Sequence, residues 1–414
     1  METPLLSVEE FGLALAKGQG RTILALRHTK EREPYFDAII EGCLRNRPSN
    51  YDYLIKPPGV PYLWSVVAEA GLKERLLGDL LAILFDENKI YNRDRYFGFL
   101  DRFIRDGETR AQDALFTLAQ RGYGDAQDML ADGSEHGLEW VVENVLPQLK
   151  PADHWRIAMW LPDKEDEDAT PTQKRLRKMH RQYAEALDAS RAKQAEPTFT
   201  PREFLARLNQ KHLVLRNAQE FAEQADDDLF LEAANLLFTL KHDLSRSRLA
   251  SVFVYRPFPL PPETLFPYAD IEFEGWAVCA LLGTFDSPSV RAFALDLIQQ
   301  EYLPLHAVSA LTASFQPGDE EAIAINLDLE RLSDPVDFQW FAFDVLNFFK
   351  KRPEANWQTH AEWIYEHSPC GDWRAGAFEW MDEHGIVPER IRQEAPYDSE
   401  SAIRERVAAS RLSP

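Results

Sequence analysis

The sequence is poor in what a sheet or a cross-linked scaffold needs. Glycine is sparse, at 19 of 414 residues. Alternating runs of Val, Ile and Thr are few, which argues against a strand-rich fold with many tight turns. Three cysteines, Cys43, Cys279 and Cys370, are odd in number and far apart, as in a reducing compartment without a disulfide framework. No apolar run approaches the roughly 18 residues of a membrane span. Positive charge is also short. Against 68 acidic residues stand 46 basic ones, and the formal charge of −22 opposes a general affinity for DNA, RNA or anionic lipid. Met1-Glu2-Thr3-Pro4 carries no basic leader, and Glu9 and Glu10 interrupt the first apolar segment, so the expected location is the cytoplasm.

What is present is apolar and aromatic. Hydrophobic residues make up 45% of the chain, aromatics 12%, and there are 10 Trp, enough for a buried core and against disorder. A chain this long exceeds one ordinary core, so several domains or an extended array of repeats is expected.

An internal repeat favours the array. Residues 276–311 read as a helix ending near Gly283, a turn Asp286-Ser287-Pro288-Ser289, and a second helix with Val290, Ala294, Leu295 and Ile298 at helical spacing. Arg291-Ala-Phe-Ala-Leu-Asp-Leu-Ile298 aligns without a gap to Arg374-Ala-Gly-Ala-Phe-Glu-Trp-Met381, 83 positions later. That offset is two units of about 41–42 residues, inside the roughly 40–47 of HEAT or armadillo repeats. Leu303-Pro304 and Val387-Pro388 follow the two copies at nearly the same distance, and a looser copy lies at 106–118 around Arg110.

On these residues the chain resembles the HEAT-repeat family of bacterial α-solenoids. The likeness is firmest over residues 271–313 and 356–410 and looser over 60–150. The family pattern places an Asp in the turn between paired helices and Val-Arg at the start of the second. Asp286, Val290 and Arg291 match it; Asp372 and Arg374 match with altered spacing, Trp373 standing between them. The resemblance implies an all-α solenoid of degenerate hairpins, in which Asp286, Arg291, Asp372 and Arg374 form a structural ladder.

The expected organisation is an N-terminal helical-repeat region over 1–162, a charged connecting helix or linker over 163–200, and a C-terminal HEAT-like region over 201–414. Ser7 with Glu10, and Thr200 with Glu203, have capping-box spacing; Pro201 stands at a first helical position. Pro171 opens a charged helix to about 192, with Leu176, Met179, Tyr183 and Leu187 as a narrow apolar stripe. Four prolines within 255–262 require an extended connector. Further helices are expected at 320–332 and 335–350.

Candidate chemistry is thin. His360, His367, Cys370 and His384 are the densest set of potential zinc ligands, but no Cys-x-x-Cys or His-x-x-x-His completes a tetrahedral site. Cys370 with His367 as base has no orienting third group. Gly18-Gln19-Gly20 lacks a preceding strand and the Gly-Lys-Ser/Thr of a phosphate loop. No catalytic, cofactor or metal residue is therefore assigned. The basic cluster Arg175, Arg177, Lys178 and Arg181 is the candidate partner contact, against the plainer reading of a solvated helix face. Arg256-x-x-Pro259-x-x-Pro262 has a polyproline-ligand form but suits a rigid connector better. The aromatic stripe over 338–349 reads as core, becoming a partner patch only if Phe341 or Phe348 is exposed.

The expected function is a non-enzymatic scaffold or adaptor binding a protein on a concave surface, because stacked hairpins bury their shared faces and leave one inner surface free. Two alternatives are weaker. One is a DNA-acting enzyme resembling the HEAT-like alkylpurine DNA glycosylases, which the acidic balance opposes. The other is a component of a bacterial defence or toxin-immunity system.

Overall fold

The computed structural model describes residues 6–44, 58–86, 93–133, 135–148, 170–193, 200–208, 215–240, 243–269, 275–300, 307–324, 327, 332 and 335–412. Among these the regular elements are all helical, with no strand, and no helix is long and apolar enough to cross a membrane.

The chain divides into two compact units. The first contains α1 (Val8–Lys17, apart from its last two residues), α2 (Arg21–His28), α3 (Phe36–Leu44), α4 (Val60–Ala70), α5 (Lys73–Leu84), α6 (Arg93–Arg105), α7 (Thr109–Gln120), α8 (Gly124–Gly133), α9 (Glu135–Asn144) and α10 (Pro171–Lys193). α1 starts at the foreseen box: the Ser7 amide donates to the Glu10 carboxylate at 2.8 Å and the Glu10 amide to the Ser7 hydroxyl at 3.2 Å. Behind it Phe11 stacks on Tyr35 with ring centroids 4.3 Å apart, and Leu63, Val66, Leu76, Leu80, Phe99 and Leu100 close the core. Thr170 and Gln173 cap α10 reciprocally. Leu176 is fully buried in an apolar cluster with Leu138, Val141 and Val142 of α9, so this charged helix packs on the first unit through a single stripe.

The second unit includes residues 197–414 and Ala16–Gly20. Its helices are α11 (Pro201–Ala206), α12 (Leu215–Gln224), α13 (Asp227–Leu237), α14 (Asp243–Ala250), α15 (Gly275–Leu282), α16 (Pro288–Gln299), α17 (Asp319–Ala324), α18 (Pro335–Lys351), α19 (Gln358–His367), α20 (Gly371–Glu383), α21 (Glu389–Glu394) and α22 (Ser401–Leu412). Thr200 and Glu203 form a full capping box with Pro201 at the first position. One continuous apolar core runs from Phe204 to Val407. The proline-rich connector is irregular only to Pro261, because Pro262 opens a 3-10 helix, Pro262–Tyr268. Arg256 is committed within the fold: it donates to the Ala225 carbonyl, pairs with Asp227 and lies over the Phe230 ring. The helix expected over 320–332 is described only as Asp319–Ala324.

In the 276–311 cassette, α15 and α16 are followed by a 3-10 turn, Ala307–Leu311. Gly283 makes their close approach possible: a Cβ there would overlap the Ser309 carbonyl oxygen, while the Ala313 amide donates to the Gly283 carbonyl at 3.0 Å. Gly283→Ala should therefore lower stability by about 1–3 kcal/mol through overpacking against backbone that cannot swing away. Urea unfolding followed by circular dichroism would read this as a lower midpoint at unchanged slope.

Ala16–Gly20 enters the second unit as a strap. The Ser399 amide donates to the Gly18 carbonyl at 2.8 Å. The buried Gln19 amide donates to the carbonyls of Tyr365 at 3.2 Å and Glu366 at 2.8 Å, satisfying the last turn of α19, which has no intrahelical partners for them. Gly20 is required by proximity, since a Cβ would strike the Glu394 carbonyl.

Candidate interaction groove

The repeated arginines define the local frame. Arg374 makes a two-pronged pair with Asp398, at 2.8 and 3.2 Å, with both side chains fully buried. Arg291 forms the same pair with Asp319, at 2.5 and 3.0 Å, with Arg291 about one-third exposed and Asp319 buried. In each case the carboxylate lies beyond the helical segment that follows the arginine's helix, Asp319 opening α17 and Asp398 following the 3-10 turn Ala395–Tyr397. It also accepts a backbone amide, of Glu400 for Asp398 and Gln316 for Asp319. Asp286 lies exposed in the turn before α16, and Asp372 lies exposed in the first turn of α20 itself. The buried carboxylate partners of the two arginines are thus Asp319 for Arg291 and Asp398 for Arg374, rather than the Asp of the expected pattern. In the looser copy Arg110 instead bridges the exposed Glu74 and the half-buried Glu108.

Three helices, α18, α20 and α22, enclose a groove of about 740 Å³. One wall is aromatic. α18 buries Phe338, Phe341, Phe348 and Phe349 and turns Trp340 and Phe343 outward, at 37% and 39% exposure. Phe343 meets Trp340 and Trp373 edge to face, at 6.2 and 5.6 Å between centroids. The Trp373 indole N–H donates to the side-chain oxygen of the buried Gln339, which fixes the ring's orientation. Deeper in, Trp380 lies between Phe349 at 5.1 Å and His384, which stacks on it at 4.3 Å. The Trp380 indole N–H is buried without a hydrogen-bond partner.

α20 also brings charge to the groove, together with α22. Glu379, Asp382 and Glu383 share one face of α20, being three and four residues apart. Arg406 from α22 donates to all three, at 2.9, 2.8 and 3.1 Å. Partial burial works against the guanidinium's charge, yet its bonds to Asp382 and Glu383 carry the Arg406 pKa above the ordinary arginine value. One cation among three carboxylates leaves an acidic surplus. Across the lining, Asp372, Glu379, Glu383 and Glu400 outnumber Lys350 and Arg406.

The other sequence candidates do not converge. His360 lies against Trp357, His367 against Trp363 and His384 against Trp380, each on its own aromatic neighbour. Cys370 is buried at the N-cap of α20. Among the described residues no three His, Cys, Asp or Glu side chains are grouped to hold a metal. Burial pushes the Cys43 thiol up to about 12, Arg95 offsetting this slightly, so it is a poor nucleophile at neutral pH. In the basic cluster of α10, Arg175, Lys178 and Arg181 are exposed and Arg177 is half-buried. The condition set from the sequence for a partner patch, exposure of Phe341 or Phe348, is not met, since both are buried. The aromatic side chains of this helix that face outward are instead Trp340 and Phe343, three residues apart, of which Phe343 lines the groove.

Comparison with protein-family models, with curated proteins and with solved structures found no match.

His360 supplies a pH dependence. It is 1% exposed and neither ring nitrogen has a well-formed hydrogen bond. Burial lowers its pKa from 6.5 to about 4, with the Glu320 backbone opposing weakly. The unfolded chain therefore takes up this proton first as pH falls. The neutral imidazole's contribution is complete above about pH 6.5 and declines toward pH 4, at a slope of about 1.4 kcal/mol per pH unit at most. His360→Leu should flatten the acid limb of urea-unfolding stability between these pH values; superimposable limbs for both proteins would contradict it.

Proposed function

We propose that the chain is a non-enzymatic scaffold of HEAT-like helical hairpins that binds a protein partner, with the groove of α18, α20 and α22 as a principal contact. The observation that carries this reading is the exposed Trp340–Phe343 pair continuing into Trp373. Large aromatics left at the surface beside a cleft are characteristic of interface anchors, because they offer much contact area at little entropic cost. The Arg291–Asp319 and Arg374–Asp398 pairs support the HEAT-like part of the reading, since the two arginines stand at the same place in aligned cassettes and each pairs with an Asp 28 or 24 residues further on. The formal charge of −22 supports a protein over a nucleic acid as partner.

An affinity pull-down from native lysate with the intact chain, repeated after nuclease treatment and with Trp340→Ala/Phe343→Ala, tests this. The expected result is a stoichiometric, nuclease-resistant protein that the double variant loses while keeping its wild-type melting temperature. Recovery dominated by nuclease-sensitive material, or capture indifferent to the variant, would overturn the proposal.

A further inference from the structure

We infer that the groove receives an arginine-bearing segment of the partner protein, its guanidinium seated between the Phe343–Trp373 wall and the Glu379–Glu383 face. This deepens the scaffold reading and rests on it. Two independent features point to the same chemistry. The first is charge: Arg406 is already shared among Glu379, Asp382 and Glu383, so two formal negative charges on that face remain without a counter-ion from this cluster. Both glutamates are more than half exposed at the rim and can accept a further donor without leaving Arg406. The second is the aromatic surface that lines the same groove. Phe343 is exposed, and Trp373 has its only polar atom tied to Gln339, leaving ring surface as what it can offer a ligand. A planar cation over an aromatic ring, with carboxylates at its edge, satisfies both features together.

Arginine fits better than lysine on the same grounds. Guanidinium is flat, stacks, and donates in two directions to paired carboxylates, whereas an ammonium is a compact, strongly hydrated point charge. An acidic or purely aliphatic segment would leave the surplus carboxylates uncompensated. A phosphate-bearing ligand would be repelled by them.

The test uses the intact chain and a fluorescein-labelled hexa-arginine peptide, with anisotropy read at about 0.15 M salt, where diffuse long-range attraction is screened. Hexa-lysine and hexa-glutamate peptides serve as comparisons. Hexa-arginine should bind more tightly than hexa-lysine, and hexa-glutamate should not bind. Glu379→Gln/Glu383→Gln, which retains Asp382 for Arg406, should weaken hexa-arginine binding by about tenfold, the scale of one lost charge-assisted contact. Phe343→Ala should weaken it comparably with the melting temperature unchanged. Glu139→Gln/Glu143→Gln on α9 removes the same charge from exposed positions elsewhere and should leave binding as in the wild type. Absence of hexa-arginine binding, equal losses in the two paired-glutamine variants, or a preference for hexa-lysine would overturn the inference. So would self-association of the wild-type chain in sedimentation that the groove variants abolish, because the occupant would then be a second copy. A lysate partner lost with Trp340→Ala/Phe343→Ala but kept by Glu379→Gln/Glu383→Gln would sink the arginine inference alone and leave the scaffold reading standing.

Discussion

Arg374→Ala is expected to cost about 3–5 kcal/mol of folding stability, the usual scale for stripping one partner from a buried ion pair. The loss follows from what stays behind. Asp398 has no exposed side-chain surface, and removing the guanidinium leaves its carboxylate with the Glu400 amide as its remaining specified donor. The Ser368 carbonyl and the Ser399 hydroxyl lose a donor in the same step. The matched substitution Arg291→Ala should cost much less, because Arg291 is about one-third exposed and water can reach the site. Arg374→Leu/Asp398→Leu should recover part of the loss by removing both charges together. Urea titrations of the four proteins measure the ordering; equal losses for Arg374→Ala and Arg291→Ala would contradict the role given to burial.

Trp357→Ala should be of similar size, about 3–5 kcal/mol, by cavity formation. The ring is fully buried, with Phe315, Phe348 and Phe349 at 5.5, 5.8 and 5.5 Å between centroids and His360 at 5.1 Å. Its N–H donates to the part-buried Arg352 carbonyl at 2.9 Å, which would keep only the Ala355 amide, so a hydrogen bond is lost as well. Elements before, within and after α18 therefore meet at one side chain, and neighbouring rings cannot collapse into the space without leaving their own contacts. Trp357→Phe should recover much of the loss but not the hydrogen bond. Thermal melts would distinguish the two, and a Trp357→Ala protein melting close to the wild type would refute the central placement of this ring.

Much of the helical pattern is legible in the chain because local chemistry sets it. α6 and α7 run over 93–105 and 109–120, as their periodicity requires, and the Ser7–Glu10 and Thr200–Glu203 spacings become real capping boxes. The alignment of Arg291 with Arg374 is also meaningful, since both do the same structural work. Their carboxylate partners are harder to read, because Asp319 and Asp398 lie 28 and 24 residues downstream and meet the arginines only after intervening turns fold back. The groove is harder still. In the alternating aromatics of α18, composition cannot separate Phe341, buried against Trp363 of α19, from Phe343, which lines the groove beside Trp373 and is exposed. Glu379, Glu383 and Arg406 look like ordinary surface charges until two helices bring them together.

The strap at Ala16–Gly20 bears on how the second unit can be dissected. Gly18 accepts a hydrogen bond from the Ser399 amide, so the unit is closed by two stretches far apart in the chain. Its inner helices can form from local sequence, but the unit is complete only when both stretches are present. A clone beginning at Pro197 would also lack Gln19 and leave the Tyr365 and Glu366 carbonyls without the donor that closes the end of α19. Such a fragment would need the pentapeptide fused back, by circular permutation or as a tail, to regain the complete unit.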